Sequence, residues 1–237
     1  MCGVAGFIDF KKNSTEIDLK SMIAPLNHRG PDGEGTLVLK NENAKVGLGH
    51  KRLSIIDLSI TGKQPMSFDK LHITYNGEIY NYETIKQDLS ALGHEFVGES
   101  DTEMILHAYQ EWGLKCIDRF VGMFAIVLFD EQKNEVHLIR DRAGVKPLFY
   151  YQKNDLILFA SELKSFHKHS RFEKELDLNA VAAFMQYGNV PTPHCIFKNC
   201  YKNLKNLDIS FFKFFNFFNI RAILKKRHTN HFNPKIF

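Results

Sequence analysis

LHITYNGEIYNYETIKQDLSALG, residues 71–93, sets a strand against a helix within 23 residues. The first five, LHITY, mix apolar and β-branched residues in a strand-like run. From Tyr82 the period changes. Tyr82, Ile85, Leu89 and Leu92 recur at helical spacing, and Gly93 is placed to stop the helix. Working outward, two more helical stripes stand out. Leu19, Met22, Ile23 and Leu26 form one, and Ile105, Ala108, Tyr109 and Trp112 form the other, with Ser100 or Asp101 as its N-cap. A last helix is expected over about 177–187, before Gly188 and the Pro191-Thr192-Pro193 turn. Strand-like runs lie at 4–9, 123–129, 135–139, 147–151 and 156–160. Strands dominate both ends and helices the middle, without steady βαβ alternation. That order predicts antiparallel sheets with helices packed against them, an α+β class.

Composition narrows the function classes. The chain has 237 residues, 44% hydrophobic and 24% charged, ordinary for a globular protein able to bury its own core. The longest uninterrupted apolar run, Met123 to Phe129, is far short of a membrane span. The N-terminus lacks the basic region of a secretory signal. Cys2, Cys116, Cys195 and Cys200 are spaced for neither a zinc site nor a disulfide framework, so no metal is expected and a reducing cytoplasm is the expected setting. The net charge of +4 comes from the last 35 residues, which carry seven Lys/Arg and one Asp. The slightly acidic body gives no electrostatic case for nucleic acid, and no membrane is expected as a partner.

Those last residues, 203–237, differ in composition from the body at 1–202. Phe, Asn and Lys supply 19 of the 35, and FFKFFNFFN has neither a period of 2 nor one of 3.6. Two readings stand. One is a non-native or disordered extension, and the other is a basic, aromatic segment for a membrane surface or a partner.

Several polar segments could carry chemistry. Once Met1 is removed, Cys2 holds both a thiol nucleophile and an α-amine whose pKa of about 7.7–8.0 suits a general base. The loop 28–33, HRGPDG, is punctuated by Pro and Gly. Arg52, in HKRLSIID, could fork onto a carboxylate or simply face solvent. Asn76-Gly77 after a strand reads as a hairpin turn, or as two donors to an oxyanion. Asp101 reads as a cap or as a partner for an ammonium group. Arg140-Asp141-Arg142 with Gly144-Val145-Lys146-Pro147 reads as an ion-paired turn. Jointly, a thiol, a base, two oxyanion donors, a cation and carboxylates suit the side-chain amide of a free α-amino acid. Glutamine is the natural candidate.

The ordered motifs then carry a resemblance. They are MCGVAGF (1–7), HRGPDG (28–33), HKRLSIIDLS (50–59), QPM (64–66), YNGEIYNY (75–82), SDTE (100–103), GMFAIVLFD (122–130), RDRAGVKPL (140–148) and FASELK (159–164). Residues 1–202 resemble the N-terminal glutaminase domain of glutamine-dependent asparagine synthetases, class II glutamine amidotransferases within the N-terminal-nucleophile hydrolases. The resemblance implies a four-layer αββα sandwich and thioester chemistry at Cys2. It implies that Arg52 binds the glutamine α-carboxylate, with Leu53, Ser54, Ile55 and Ile56 lining the pocket. Asn76 and Gly77 would form the oxyanion hole, and Glu78 and Asp101 would hold the α-amino group. The family's synthetase domain, with its ATP, Mg²⁺ and Ser-Gly-Gly-x-Asp-Ser loop, has no counterpart here, so no cofactor is expected in this chain. The expectation is a glutaminase from a truncated or split synthetase. The alternatives are an ammonia-supplying subunit for a synthetase domain or chain, and a non-catalytic fragment.

Overall fold

In the computed structural model, the described residues are 1–54, 62–203, 207–214 and 217–224. They build two six-stranded sheets whose pairings are all antiparallel. In one, the order is β10 (Cys200–Lys202), β8 (Phe149–Lys153), β9 (Leu156–Ala160), β1 (Gly3–Asp9), β3 (Lys45–Arg52), β2 (Gly33–Lys40). In the other it is β12 (Phe217–Leu224), β11 (Leu207–Phe214), β7 (Glu135–Arg140), β6 (Gly122–Asp130), β5 (Leu71–Ile79), β4 (Met66–Phe68).

The layers follow from strand alternation. In β6, Ala125, Val127 and Phe129 meet Val4, Ile8, Val46, Leu48 and Phe159 between the sheets. The opposite face, with Phe124, Ile126 and Leu128, packs under α2 (Tyr82–Ala91) and α3 (Asp101–Trp112). In β1, Ala5 and Phe7 face away from the partner sheet and pack against Leu19, Met22 and Ile23 of α1 (Glu16–Ile23). Both faces of β6 and β9 are therefore buried, so MFAIVLF and LILFA read as continuous apolar runs. Fully burying each large side chain contributes about 1.5–3 kcal/mol.

The expected helices form with their punctuation. Ser100 caps α3 through a bond from the Glu103 amide, which resolves the choice left between Ser100 and Asp101. The last helix, α4 (Leu178–Tyr187), starts at Asp177 and ends on Gly188 at φ +70°. The stripe ending at Leu26 breaks into a 3-10 turn at Ala24–Leu26. The sequence reading missed the β2–β3 hairpin. GEGTLVLK and KVGLGHKR are too rich in Gly and Lys to read as strands. Two expectations need correction. Asn76-Gly77 is no turn, because β5 runs straight through both to Ile79. The 140–147 segment is not ion-paired either. The Arg140 guanidinium donates to the carbonyls of Gly144, Lys146 and Asn203, while the Asp141 carboxylate accepts from the amides of Phe124, Val145 and Lys146.

Strands lie on both sides of the compositional boundary at 202/203. Asn203 is fully buried, its amide donating to the Leu148 carbonyl and its side chain to that of Leu138. Beyond it, β11 pairs with β7 from Asp208↔Ile139 to Phe211↔Val136. No helix among the described residues is long and apolar enough to cross a membrane.

The close stacking at β1 gives a direct test. A Cβ on Gly6 would lie 2.0 Å from the Gly47 carbonyl oxygen and 2.4 Å from the Phe159 ring. Gly6→Ala should lower stability by about 1–3 kcal/mol in urea denaturation. Gly33→Ala, which meets only Arg52 Cβ at 3.8 Å, should stay within about 0.5 kcal/mol.

Candidate active site

The site lies where the layer between the sheets opens at one edge. Along β5, Thr74, Asn76 and Glu78 share the face turned to the other sheet, and the Thr74 hydroxyl donates to the Gly49 carbonyl of β3. Asn76 and Glu78 therefore stand opposite the start of β1, where Cys2 sits, and the end of β3, where Arg52 sits. Together they line a cavity of about 380 Å³ that also takes in Leu53, Ser54, Gly77 and Asp101. Thus eight of the ten expected site residues meet around one cavity. Ile55 and Ile56 lie outside the described residues.

Cys2 is half-buried. Its Sγ accepts from the Leu53 amide at 3.4 Å and donates to the Leu53 carbonyl at 3.7 Å. Arg29 Nε holds the Cys2 carbonyl at 3.1 Å, and the same guanidinium reaches Glu162 at 2.9 Å. His28, Arg29 and Lys164 all donate to Glu162, and despite its partial burial they draw its carboxyl down to about 2. The loop 28–33 thus braces Cys2. It also braces the end of β3. The Asp32 amide donates to the Arg52 carbonyl at 3.0 Å, and the Asp32 carboxylate accepts from the Ser54 amide at 2.8 Å.

The donors on β5 follow from strand registry. Gly77 pairs with Phe124 of β6. Phe124 gives its amide to the Asp141 carboxylate and its carbonyl to the Asp141 amide, so its polar groups point away from β5. In an antiparallel ladder its partner then points away too. The amides of Tyr75, Gly77 and Ile79 accordingly leave the outer side of β5. Gln64 Oε1 takes that of Tyr75 at 2.6 Å, and Asp101 Oδ2 takes that of Ile79 at 3.2 Å. Between them the Gly77 amide faces the cavity. The Asn76 side-chain nitrogen is buried with no hydrogen-bond partner in the protein. A buried amide donor without a partner is costly, and a ligand oxygen would satisfy it. Only glycine fits at 77, because a Cβ there would lie 2.4 Å from the Met123 carbonyl oxygen.

Asp101 opens α3 and accepts from the Tyr75 hydroxyl at 2.7 Å. Burial raises its carboxyl from its ordinary value, against the bonds from Tyr75 and Ile79. Burial and the neighbouring Asp101 charge keep the Tyr75 phenol protonated. Five wall or support residues escaped the sequence reading as site residues: Arg29, His50, Gln64, Tyr75 and Lys146. Each lies in or beside a quoted motif, but which way its side chain turns depends on strand registry.

His50 is buried, with Nε2 3.1 Å from the Tyr75 carbonyl oxygen. Burial pushes the imidazole from 6.5 down to about 4, against the Tyr75 bond. A neutral ring donates Nε2–H to that carbonyl. Because the unfolded chain binds this proton first, the stability contributed by His50 is full above pH 6.5 and is lost as pH falls toward 4. The loss from this group should be on the order of 3 kcal/mol. His50→Gln, which keeps a donor, should flatten urea stability between pH 6.5 and 4. An equally steep acid limb in the variant would remove His50 as its cause.

The comparisons with known proteins follow the same lines. Residues 1–210 match the glutamine amidotransferase domain family. The chain is 38% identical over 199 residues to asparagine synthetase 3 of Bacillus subtilis, glutamine-hydrolyzing by its name, covering 81% of this chain and 32% of that protein. Asparagine synthetase 2 of the same organism is 36% identical over 219 residues, covering 90% of this chain and 28% of its own length. The chain thus spans about a third of these relatives. Among solved structures, the allosteric regulatory enzyme of purine biosynthesis superposes with a TM-score of 0.71 at 17% identity, over 95% of this chain and 50% of that one. The fold is an α+β, four-layer αββα sandwich, shared with that structure. This chain belongs to the glutamine amidotransferase domain family.

Proposed function

We propose that the chain hydrolyses the side-chain amide of L-glutamine through a thioester on Cys2, as the ammonia-releasing part of an asparagine-forming system. The observation that carries this reading is the unpartnered Asn76 amide beside the cavity-facing Gly77 N–H, on the same cavity as the Cys2 thiol. In the proposed complex, Arg52 takes the α-carboxylate, with Leu53, Ser54 and the adjoining Ile55 and Ile56 beside it. Glu78 and Asp101 take the α-ammonium. The γ-carbonyl oxygen then accepts from Asn76 and Gly77, whose bonds strengthen as it becomes an oxyanion.

With Met1 removed, the α-amine of Cys2 takes the thiol proton as sulfur attacks the γ-carbon. The tetrahedral intermediate collapses, the C–N bond breaks, and the amine gives that proton to the leaving nitrogen as ammonia. Water then attacks the thioester carbon. Its proton returns to sulfur, and glutamate departs. While Met1 is in place the same nitrogen is an amide with no useful basicity.

The family's ATP and Mg²⁺ belong in this reading to a synthetase domain or chain that would accept the ammonia. Among the described residues, no three His, Cys, Asp or Glu side chains gather to hold a metal ion. The Glu78 and Asp101 pair alone does not fit a magnesium nucleotide, and no step here runs through one. The catalytic unit is taken as 1–202 together with the buried Asn203.

Glutamate release by the purified chain tests the reading. Cys2→Ala should abolish it, whereas Cys116→Ala, buried beneath α3, should keep the rate if the fold holds. Equal loss in two folded variants would sink the assignment. Asn76→Ala should lower kcat by roughly 10²–10³. Arg52→Lys, which keeps charge but loses the fork, should raise KM by about one to two orders of magnitude. An effect of Asn76→Ala on KM alone would move that residue from the oxyanion hole to substrate binding.

A further inference from the structure

Lys146 is the one buried lysine whose side chain the proposed reaction leaves without a task and which still lines the cavity with Cys2 and Glu78. It is only 5% exposed. Among the described residues its ammonium has no hydrogen-bond or ion-pair partner, whereas Lys51, similarly buried, pairs with Glu34.

The anions nearby are already engaged. Asp141 spends both carboxylate oxygens on the amides of Phe124, Val145 and Lys146 itself. Arg29 repels the ammonium, while Cys2, Glu78 and Asp141 attract it. Burial with that repulsion lowers its pKa. The loop is not free to swing the side chain into water. Arg140 fastens the carbonyls of Gly144 and Lys146 from one side while Asp141 fastens the amides from the other.

A buried cation without a counter-ion is expensive, so a site that keeps one usually creates the anion it waits for. The anion created beside Lys146 is the sulfur of Cys2 as it loses its proton.

We infer that Lys146 is a positioning residue whose ammonium, buried on the same cavity, holds the sulfur of Cys2 as it takes up negative charge in the attack. This rests on the reading of Cys2 as nucleophile, but it concerns the sulfur and not the substrate. The charged and titratable groups around that sulfur are Lys146, Arg29 held by Glu162, Arg52, the protonated Tyr75 phenol, the neutral His50 ring beyond it, Glu78, Asp101 and the α-amine. Of these Lys146, Arg29 and Arg52 are fixed cations; Arg29 is paired with Glu162, and Arg52 has contacts of its own and is assigned to the substrate carboxylate. An opposite charge within about 4–6 Å moves a pKa by 1–3 units.

The test is alkylation of Cys2 by iodoacetamide as a function of pH, read by mass spectrometry of the N-terminal peptide in the wild-type chain, Lys146→Met and Lys146→Arg. All three are matched for Met1 processing. Lys146→Met keeps the length of the side chain and removes the charge. It should raise the midpoint of the alkylation profile by about one unit, slowing the reaction near pH 7 roughly tenfold. The acid limb of kcat/KM for glutamine should move with it. Lys146→Arg, which retains the charge, should restore most of the shift. A merely structural role would change melting temperature without moving the midpoint, and would overturn the inference. So would a raised KM with an unmoved midpoint, which would make Lys146 a substrate ligand. Should Lys146→Met fail to fold, Lys146→Gln replaces it against Lys146→Arg, with the same two outcomes for the midpoint. If the wild-type chain releases no glutamate yet the midpoint moves, the proposed function fails and this inference stands. If glutamate is released and the midpoint stays, this inference alone fails.

Discussion

The Asp141 carboxylate, accepting from the amides of Phe124, Val145 and Lys146, is the contact on which the site depends. It takes over where β7 ends. The last regular pair there is Ala125↔Arg140, and one residue further the Asp141 amide and side chain hold both polar groups of Phe124. This fixes which way Phe124 faces, and through strand registry which way Gly77 faces. A single-residue slip would turn the Gly77 amide into the ladder and Asn76 away from the cavity. The same carboxylate shapes the loop that carries Lys146. One side chain thus orients both the Gly77 amide and the Lys146 loop toward the cavity that holds Cys2.

A second constraint is the close packing of β1 between its neighbours β3 and β9. Within the first sheet, Gly6 and Gly47 cannot bear side chains, since the rings of their cross-strand partners Phe159 and Phe7 occupy the space. The antiparallel β1–β3 pairing, with Gly3 opposite Lys51, brings the start of β1 against the end of β3 and places Cys2 within reach of the Leu53 backbone. The loop 28–33 then locks the two strand ends, with Arg29 on the Cys2 carbonyl and Asp32 on Arg52 and Ser54. Cys2 is held by backbone contacts on a rigid frame, as the proposed nucleophile needs to be.

Much of this was legible in the sequence, unevenly. The helical stripes and the doubly buried strands could be read because burial on known faces imposes a pattern. Cys2, Arg52, Asn76, Gly77, Glu78 and Asp101 could be gathered because their chemistries suit one expected substrate, and the fold brings them to one cavity. The β2–β3 hairpin was hidden because Gly47 makes room for the ring of its cross-strand partner Phe7 and Gly49 for Ile23 of the helix above, not because of strand propensity. Asn76-Gly77 read as a turn because local preference favours one. The structure overrides it with a long-range pairing to β6 and a bond network from Asp141. Arg140 and Asp141 read as an ion pair because opposite charges sit side by side in sequence, whereas each spends its charge on backbone groups. The roles of Arg29, Gln64 and Lys146 depend on contacts between segments far apart in the chain, which no local window contains.

The central claim is that Cys2 carries the glutamyl group through the reaction. The most direct measurement is acid quenching during glutamine turnover, followed by mass spectrometry of the digested chain. The account predicts a glutamyl thioester on a peptide that begins at Cys2, with Met1 gone. Glutamate formed with no adduct at Cys2, or an adduct found on Cys116 instead, would contradict it.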